Sequence, residues 1–125
     1  MKGIAILGST GSIGVSTLDV IARHPNRFRV VALTAHRNAE RLAEQCRRFR
    51  PAYAVMVDRS AAARLEALLA DMPEPPQVLA GADALTEVAA LGDVDYVMAA
   101  IVGAAGLMSS LAAARAGKRL MLANK

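Results

Sequence analysis

The order in which apolar runs and helix-forming segments alternate is the feature that most restricts how this chain can fold. Short apolar runs are typical of buried strands, and the alanine-rich segments between them repeat apolar residues at helical spacing. Strands are predicted over residues 3–7, 28–33, 53–57, 77–79, 96–101 and 119–122. Strands that alternate with helices form a parallel sheet covered by helices, so we predict an α/β fold with a doubly wound sheet.

The predicted helices fill the spaces between these strands. Counting capping residues, they cover residues 12–23, 38–49, 60–70, 83–90 and 107–116. Pro25 ends the first helix, because the residue before a proline avoids the α conformation. Asn38 and Ser60 are predicted to cap the second and third helices, since their side-chain oxygens can accept a hydrogen bond from a backbone amide. Gly117 is placed to end the last helix in the left-handed conformation.

Seven residues between the first strand and the first helix read GSTGSIG, residues 8–14. Glycines let phosphate oxygens approach the backbone amides, and a helix N-terminus supplies unpaired N–H donors and partial positive charge. We expect the hydroxyl groups of Ser9, Thr10 and Ser12 to add donors. The spacing is G-x-x-G-x-x-G, not the commoner G-x-G-x-x-G. Its position nevertheless favours a pyrophosphate site in a Rossmann-type fold over a turn without a ligand.

The residues that end the second strand indicate which nucleotide binds. An NAD-binding domain places an acidic residue about 20 residues beyond the glycines, where it bonds the ribose 2′-hydroxyl. This chain has His36-Arg37-Asn38 there. The guanidinium of Arg37 can bind a 2′-phosphate through two hydrogen bonds, which favours NADPH over NADH by about ten- to a hundredfold. A solvated loop arginine is the alternative; His36 is a candidate neighbour of the adenine.

Two further segments are expected at the same carboxyl edge of the sheet. Residues 101–106 (IVGAAG) form a second strand-to-helix junction of small residues, which either leaves room for a ligand or allows close helix packing. Asn124 and Lys125 end the last strand. Ligands of open α/β sheets lie outside the carboxyl ends of strands, so these two side chains are candidates to reach a nicotinamide and a substrate. A strand end that turns into solvent is the alternative.

Composition excludes several classes of protein. The single Cys46 rules out a disulfide framework, and we expect it to be buried and inert. The net charge of +4 suggests binding to nucleic acid, but only 3% of the residues are aromatic and the arginines are scattered. An anionic small ligand explains the positive charge equally well. No apolar run approaches the ~20 residues of a membrane span. There is also no signal peptide, so we expect a cytoplasmic protein with no membrane or nucleic-acid partner.

The acidic residues show no spacing typical of a metal site or of a pair that works as acid and base. Those considered are Asp58, Asp71, Asp83, Asp93 and Asp95, which fall in predicted loops or caps. We therefore predict no metal ligand and no catalytic residue in this chain.

Several segments resemble one enzyme family. These segments are GSTGSIG at 8–14, STLDV at 16–20, FRVVAL at 28–33, YAVM at 53–56, VMAAIVGAAGL at 97–107 and LANK at 122–125. They closely resemble the N-terminal NADPH-binding domain of the 1-deoxy-D-xylulose 5-phosphate reductoisomerase family. The resemblance covers essentially the whole chain. It implies an oxidoreductase of non-mevalonate isoprenoid biosynthesis, which converts 1-deoxy-D-xylulose 5-phosphate to 2-C-methyl-D-erythritol 4-phosphate with NADPH and a divalent metal, Mg or Mn.

The resemblance also implies roles for individual residues. The pyrophosphate would be held by Thr10, Gly11, Ser12 and Ile13, and the 2′-phosphate and adenosine would be held by Arg37 and Asn38. Asn124 would contact the cofactor near the nicotinamide, and Lys125 would contact the sugar phosphate substrate. Where relatives commonly carry Gly-Lys-Asn, this chain has His36-Arg37-Asn38. The charge is kept, but because the glycine is lost the resemblance implies no backbone contact at that position.

The family's metal ligands, active-site loop and C-terminal region would all follow Lys125. We therefore expect residues 1–125 to be the NADPH-binding domain at the front of a longer, homodimeric polypeptide. The chain by itself is expected to bind NADPH and to catalyse nothing. Two alternatives remain open: another NADP-dependent oxidoreductase of the semialdehyde dehydrogenase type, with a nucleophilic cysteine elsewhere, and a non-enzymatic NADP(H)-sensing module.

Overall fold

A computed structural model describes residues 1–99 and 112–122 of the chain. The strands are β1 (Lys2–Leu7), β2 (Phe28–Ala35), β3 (Tyr53–Met56), β4 (Gln77–Ala80), β5 (Tyr96–Ala99) and β6 (Arg119–Leu122). The helices are α1 (Ser12–Arg23), α2 (Ala39–Phe49), α3 (Arg59–Leu68) and α4 (Ala82–Ala89), and residues 112–115 are also helical. The junction at 101–106, residues 107–111 of the predicted last helix, and Asn124 and Lys125 lie outside the described residues.

The described strands form one parallel sheet in the order β4-β3-β2-β1-β5-β6. The chain adds strands outward from β1 to β4, then returns to place β5 on the other side of β1. The strand order therefore reverses between β1 and β5, and open sheets of this kind bind ligands in the crevice at such a point. The prediction of a doubly wound, Rossmann-type α/β fold is confirmed.

Helices cover both faces of the sheet. Leu18 of α1, Leu42 of α2 and Leu65 of α3 are buried in one apolar cluster, whereas Val88 of α4 and Ala113 are buried in a second cluster on the opposite face. A sheet buried on both sides needs strands that are apolar on both faces, which is what the run FRVVAL predicts. Within the part of the chain that the structure describes, no helix has the length and apolar character that a bilayer crossing requires.

β2 contains a β-bulge that the sequence does not predict. Ile4 of β1 is paired with Val30, but the next residue, Ala5, is paired with Ala32, so Val31 is an extra residue in β2. A bulge of this kind changes which face later side chains occupy. Leu33 accordingly joins the same apolar cluster as Val30, whereas Val31 and Ala32 join the opposite one.

The start of α3 differs from the prediction. Asp58, not Ser60, is the capping residue, and its Oδ1 accepts a hydrogen bond from the Ala61 amide at 3.1 Å. The Asp58 amide donates to the carbonyl oxygen of His36 at 2.9 Å, which fixes the extended backbone of Asp58 (φ −77°, ψ 122°) just before the helix. Ser60 lies exposed in the first turn. The helix ends at Leu68, earlier than predicted.

Replacing Asp58 with alanine should lower the free energy of unfolding by about 1 kcal/mol, because the amide of Ala61 loses its acceptor. Ser60→Ala is the matched control; it removes a hydroxyl from an exposed helical position and should change stability by less than about 0.5 kcal/mol. Urea unfolding of both variants measures the difference. A larger loss for Ser60→Ala than for Asp58→Ala would contradict this assignment of the cap.

Candidate functional site

The glycine-rich loop, residues 8–14, lies at the carboxyl end of β1, beside the point where the strand order reverses. Gly8 has a left-handed backbone (φ 84°), a conformation that glycine adopts without steric cost. The amide of Gly11 donates to the carbonyl oxygen of Gly8 at 3.3 Å and closes the turn. Helix α1 then begins at Ser12, so the loop leads directly into a helix N-terminus.

Gly14 and Gly11 serve different purposes in this loop. A Cβ at Gly14 would lie 2.5 Å from the carbonyl oxygen of Gly8 and from the Cα of Ser9, so α1 packs directly on the loop backbone. A Cβ at Gly11 would meet only the Gly8 carbonyl oxygen, at 3.7 Å, and Gly11 is exposed. Gly14 is therefore required for packing, whereas Gly11 keeps the outer side of the loop open.

The start of α1 has hydrogen-bond donors that the described residues leave unused. No acceptor among residues 1–99 and 112–122 is bonded to the amides of Thr10, Ser12 or Ile13. The first turn of α1 also carries no acidic side chain. Unpaired amides and the positive end of a helix dipole attract an anion such as a pyrophosphate.

Ser9 does not offer its hydroxyl group to a ligand, so that prediction is wrong. The residue is fully buried, and its Oγ donates to Oε1 of Gln45 at 2.7 Å. The Nε2 of Gln45 donates in turn to the Ser9 carbonyl oxygen at 2.9 Å. Both bonds face the protein interior and fix the loop against α2.

Thr34 of β2 holds the same loop from the other side. The Gly8 amide donates to Oγ1 of Thr34 at 2.9 Å, and the Ser9 amide donates to the Thr34 carbonyl oxygen at 2.8 Å. The sequence does not predict a role for Thr34 or for Gln45. A signal existed for Gln45, because it lies three residues after Leu42 and four before Phe49 and so interrupts the apolar face of α2 with an amide.

The residues predicted to select the nucleotide follow β2, the neighbour of β1. His36, Arg37 and Asn38 are all exposed. The Oδ1 of Asn38 accepts from the Arg41 amide at 3.2 Å, so its prediction as the cap of α2 is confirmed. Its amide NH₂ group is the part left to contact a ligand. The ion pairs found among the described residues, Arg47–Asp71 and Arg64–Glu40, do not include Arg37.

Cys46 is buried on α2, as predicted, and desolvation raises the pKa of its thiol to about 12. The thiol therefore stays protonated near neutral pH and does not act as a nucleophile. In the described ranges, no group of three or more His, Cys, Asp or Glu side chains is arranged to hold a metal ion.

A cavity of about 730 Å³ lies at the opposite, amino edge of the sheet. Its lining includes Arg29, Arg50, Asp71, Glu74 and Asp93, all of which are near the beginnings of strands. Ligands of open α/β sheets bind at the carboxyl ends of strands, so we do not assign this cavity to a nucleotide.

Comparisons with known proteins agree on one family. A family model described as 1-deoxy-D-xylulose 5-phosphate reductoisomerase matches residues 4–125. The enzymes of that name from Methylococcus capsulatus and Nitrosospira multiformis are 64% and 58% identical to this chain, cover all of it, and are matched over 32% of their own length. The chain therefore spans about a third of the length of these relatives.

Solved structures of the same enzyme have the same fold. One, from Zymomonas mobilis in complex with NADPH, has a TM-score of 0.90 and 46% identity, and the match covers 98% of this chain and 32% of that one. Another, in complex with NADPH, fosmidomycin and magnesium, has a TM-score of 0.93 and 45% identity over 99% of this chain and 30% of that one. This chain belongs to the 1-deoxy-D-xylulose 5-phosphate reductoisomerase family.

Proposed function

We propose that residues 1–125 are the NADPH-binding domain of an oxidoreductase that converts 1-deoxy-D-xylulose 5-phosphate to 2-C-methyl-D-erythritol 4-phosphate. The observation that carries this proposal is the row of unused amides at the start of α1, beside the reversal of strand order, in a member of this family. We prefer it to a semialdehyde dehydrogenase type of enzyme because the family model matches residues 4–125.

Each end of the nucleotide has its own set of residues in this proposal. The pyrophosphate lies against Thr10, Gly11, Ser12 and Ile13, where amide groups and the helix dipole balance its charge. The guanidinium of Arg37 binds the 2′-phosphate, and the side-chain NH₂ group of Asn38 contacts the adenosine. NADPH supplies the hydride for the reduction when it is bound.

Two residues beyond the described ranges complete the proposed site. Asn124 contacts the cofactor near the nicotinamide, and Lys125 contacts the sugar phosphate substrate. The divalent metal, Mg or Mn, has no suitable ligands among the described residues, so we assign it to another part of the whole protein. In the same proposal the whole protein is a cytoplasmic homodimer, and this chain alone binds NADPH without turnover.

The selectivity for NADPH can be tested at Arg37. Arg37→Ala should weaken NADPH binding about ten- to a hundredfold and leave NADH binding unchanged, because a charge-assisted hydrogen bond is worth ~1.5–3 kcal/mol. Isothermal titration calorimetry of the chain with each nucleotide measures both affinities. Arg29→Ala is the control, since Arg29 is also exposed but lies at the opposite end of β2. Equal affinity for NADPH and NADH in the unsubstituted chain would contradict the proposed role of Arg37.

A further inference from the structure

We infer that Gln45 is a positioning residue for nucleotide binding, which holds the glycine-rich loop in the conformation that presents its amides to the pyrophosphate. The inference rests on the proposed function and adds a residue that touches the loop and not the nucleotide. The side chain of Gln45 makes two hydrogen bonds from α2 to the loop.

The contact between Gln45 and Ser9 uses both ends of one side-chain amide. The carbonyl oxygen of Gln45 accepts from the Ser9 hydroxyl at 2.7 Å, and its NH₂ group donates to the Ser9 backbone carbonyl at 2.9 Å. Ser9 is fully buried, and no buried side-chain nitrogen or oxygen among the described residues lacks a partner. Two bonds of this kind fix the orientation of Ser9 as well as its position.

The loop is held from two sides at Gly8 and Ser9, which precede the amides of Thr10, Ser12 and Ile13 that the described residues leave unpaired. Thr34 of β2 accepts from the amides of Gly8 and Ser9 and, at 3.2 Å, from the Ser9 hydroxyl. Gln45 of α2 makes the shorter contact with that hydroxyl, at 2.7 Å, and also donates to the Ser9 carbonyl. Thr10 follows immediately, so the directions of its amide and those after it depend on how Ser9 is held. A loop that is already ordered binds a ligand more tightly, because binding does not have to order it.

Helix α2 also connects the two ends of the proposed nucleotide site. The helix begins directly after Asn38, and Gln45 lies seven residues beyond Asn38, a distance of about 10 Å along the axis. One rigid helix therefore carries the cap residue next to Arg37 and the residue that holds the pyrophosphate loop. The separation between the two subsites is set by this helix.

The test compares two ligands that share the adenosine 2′-phosphate end and differ in the pyrophosphate. Adenosine 2′-monophosphate has the 2′-phosphate but no pyrophosphate, whereas NADPH has both. Gln45→Leu keeps the size of the side chain and removes both bonds, so it should weaken NADPH binding about tenfold and change adenosine 2′-monophosphate binding less than twofold. Glu44→Leu, at the neighbouring exposed position of α2, should change neither. Titrations followed by amide resonances measure both affinities.

A second measurement needs no nucleotide. In Gln45→Leu the hydrogen exchange of the Ser9 amide should be about tenfold faster, while that of the Ile6 amide in the core of β1 stays the same. If the Ile6 amide also exchanges faster, the variant has lost stability as a whole, and Ser9→Ala takes its place. Ser9→Ala removes the hydroxyl that contacts Gln45 and the Thr34 carbonyl and keeps the bond from Gln45 to the Ser9 carbonyl, with an expected threefold loss of NADPH affinity.

Three results would overturn the inference: equal losses for both ligands, no loss for either, or unchanged exchange of the Ser9 amide in an intact fold. Failure of the unsubstituted chain to bind NADPH is a different result and would contradict the proposed function. In that case the exchange rate of the Ser9 amide still decides whether Gln45 holds the loop.

Discussion

Replacing Gly14 with alanine should lower the free energy of unfolding by about 3 kcal/mol and remove measurable NADPH binding. Alanine is normally better than glycine inside a helix by about 1 kcal/mol, so the expected sign is unusual. The sign reverses here because the new Cβ would lie 2.5 Å from backbone atoms of Gly8 and Ser9. Backbone atoms cannot move aside as the end of a flexible side chain can. Either α1 or the loop must shift, and both carry the proposed pyrophosphate donors.

Gly11→Ala separates this steric effect from a general effect of glycine replacement. Its Cβ would meet only one atom at 3.7 Å, so the cost should stay below about 1 kcal/mol, the difference between glycine and alanine as an N-cap. Urea unfolding gives the stabilities, and calorimetry with NADPH gives the binding. If Gly14→Ala were as stable as the unsubstituted chain, α1 would not pack on the loop as the structure describes.

Gly3→Ala should destabilise the chain by more than about 3 kcal/mol, a large part of the 5–15 kcal/mol that typically stabilises a domain. Its Cβ would overlap the carbonyl oxygen of Asp93 and lie 2.9 Å from Cγ2 of Val31. The segment that leads into β5 cannot move away freely. The Gly3 amide donates to Oδ2 of Asp95 at 2.9 Å, and the Gly3 carbonyl accepts from the Asp95 amide at 2.8 Å.

Gly92→Ala is the matched control, because it replaces a glycine in the turn that Gly3 contacts through Asp93. No atom lies within 4 Å of the Cβ position at Gly92, so the stability should change by less than about 1 kcal/mol. Thermal unfolding of both variants measures the contrast. Similar melting temperatures for Gly3→Ala and Gly92→Ala would show that the close approach of β1 and Asp93 is not rigid.

The sequence predicts the features of this chain that depend on neighbouring residues. Asn38 caps α2 as predicted, because an N-cap needs only a suitable side chain and the helix after it. Asp58 and Ser60 are both suitable caps two residues apart, so the choice between them depends on the backbone. That backbone is fixed by a hydrogen bond from the Asp58 amide to His36, 22 positions earlier.

Features that depend on distant residues were not predicted. The Ser9 hydroxyl contacts Gln45 and Thr34, which lie 36 and 25 residues away, and nothing near Ser9 indicates that its side chain points inward. The glycine pattern between a predicted strand and a predicted helix is enough to locate the proposed nucleotide site. Its internal support comes from β2 and α2 packing together, which only the structure shows.

The extra residue Val31 makes the length of β2 as important as its composition. Side chains of a strand normally alternate between faces, but Val31 and Ala32 both lie in one apolar layer, and Leu33 therefore returns to the layer of Val30. A straight β2 that kept all eight residues would place Leu33 in the opposite layer. Thr34, which holds the glycine-rich loop, would change faces with it. We expect a single-residue insertion or deletion in β2 after the bulge to have the same effect, whereas one in a connection such as residues 71–76 shifts no strand pairing.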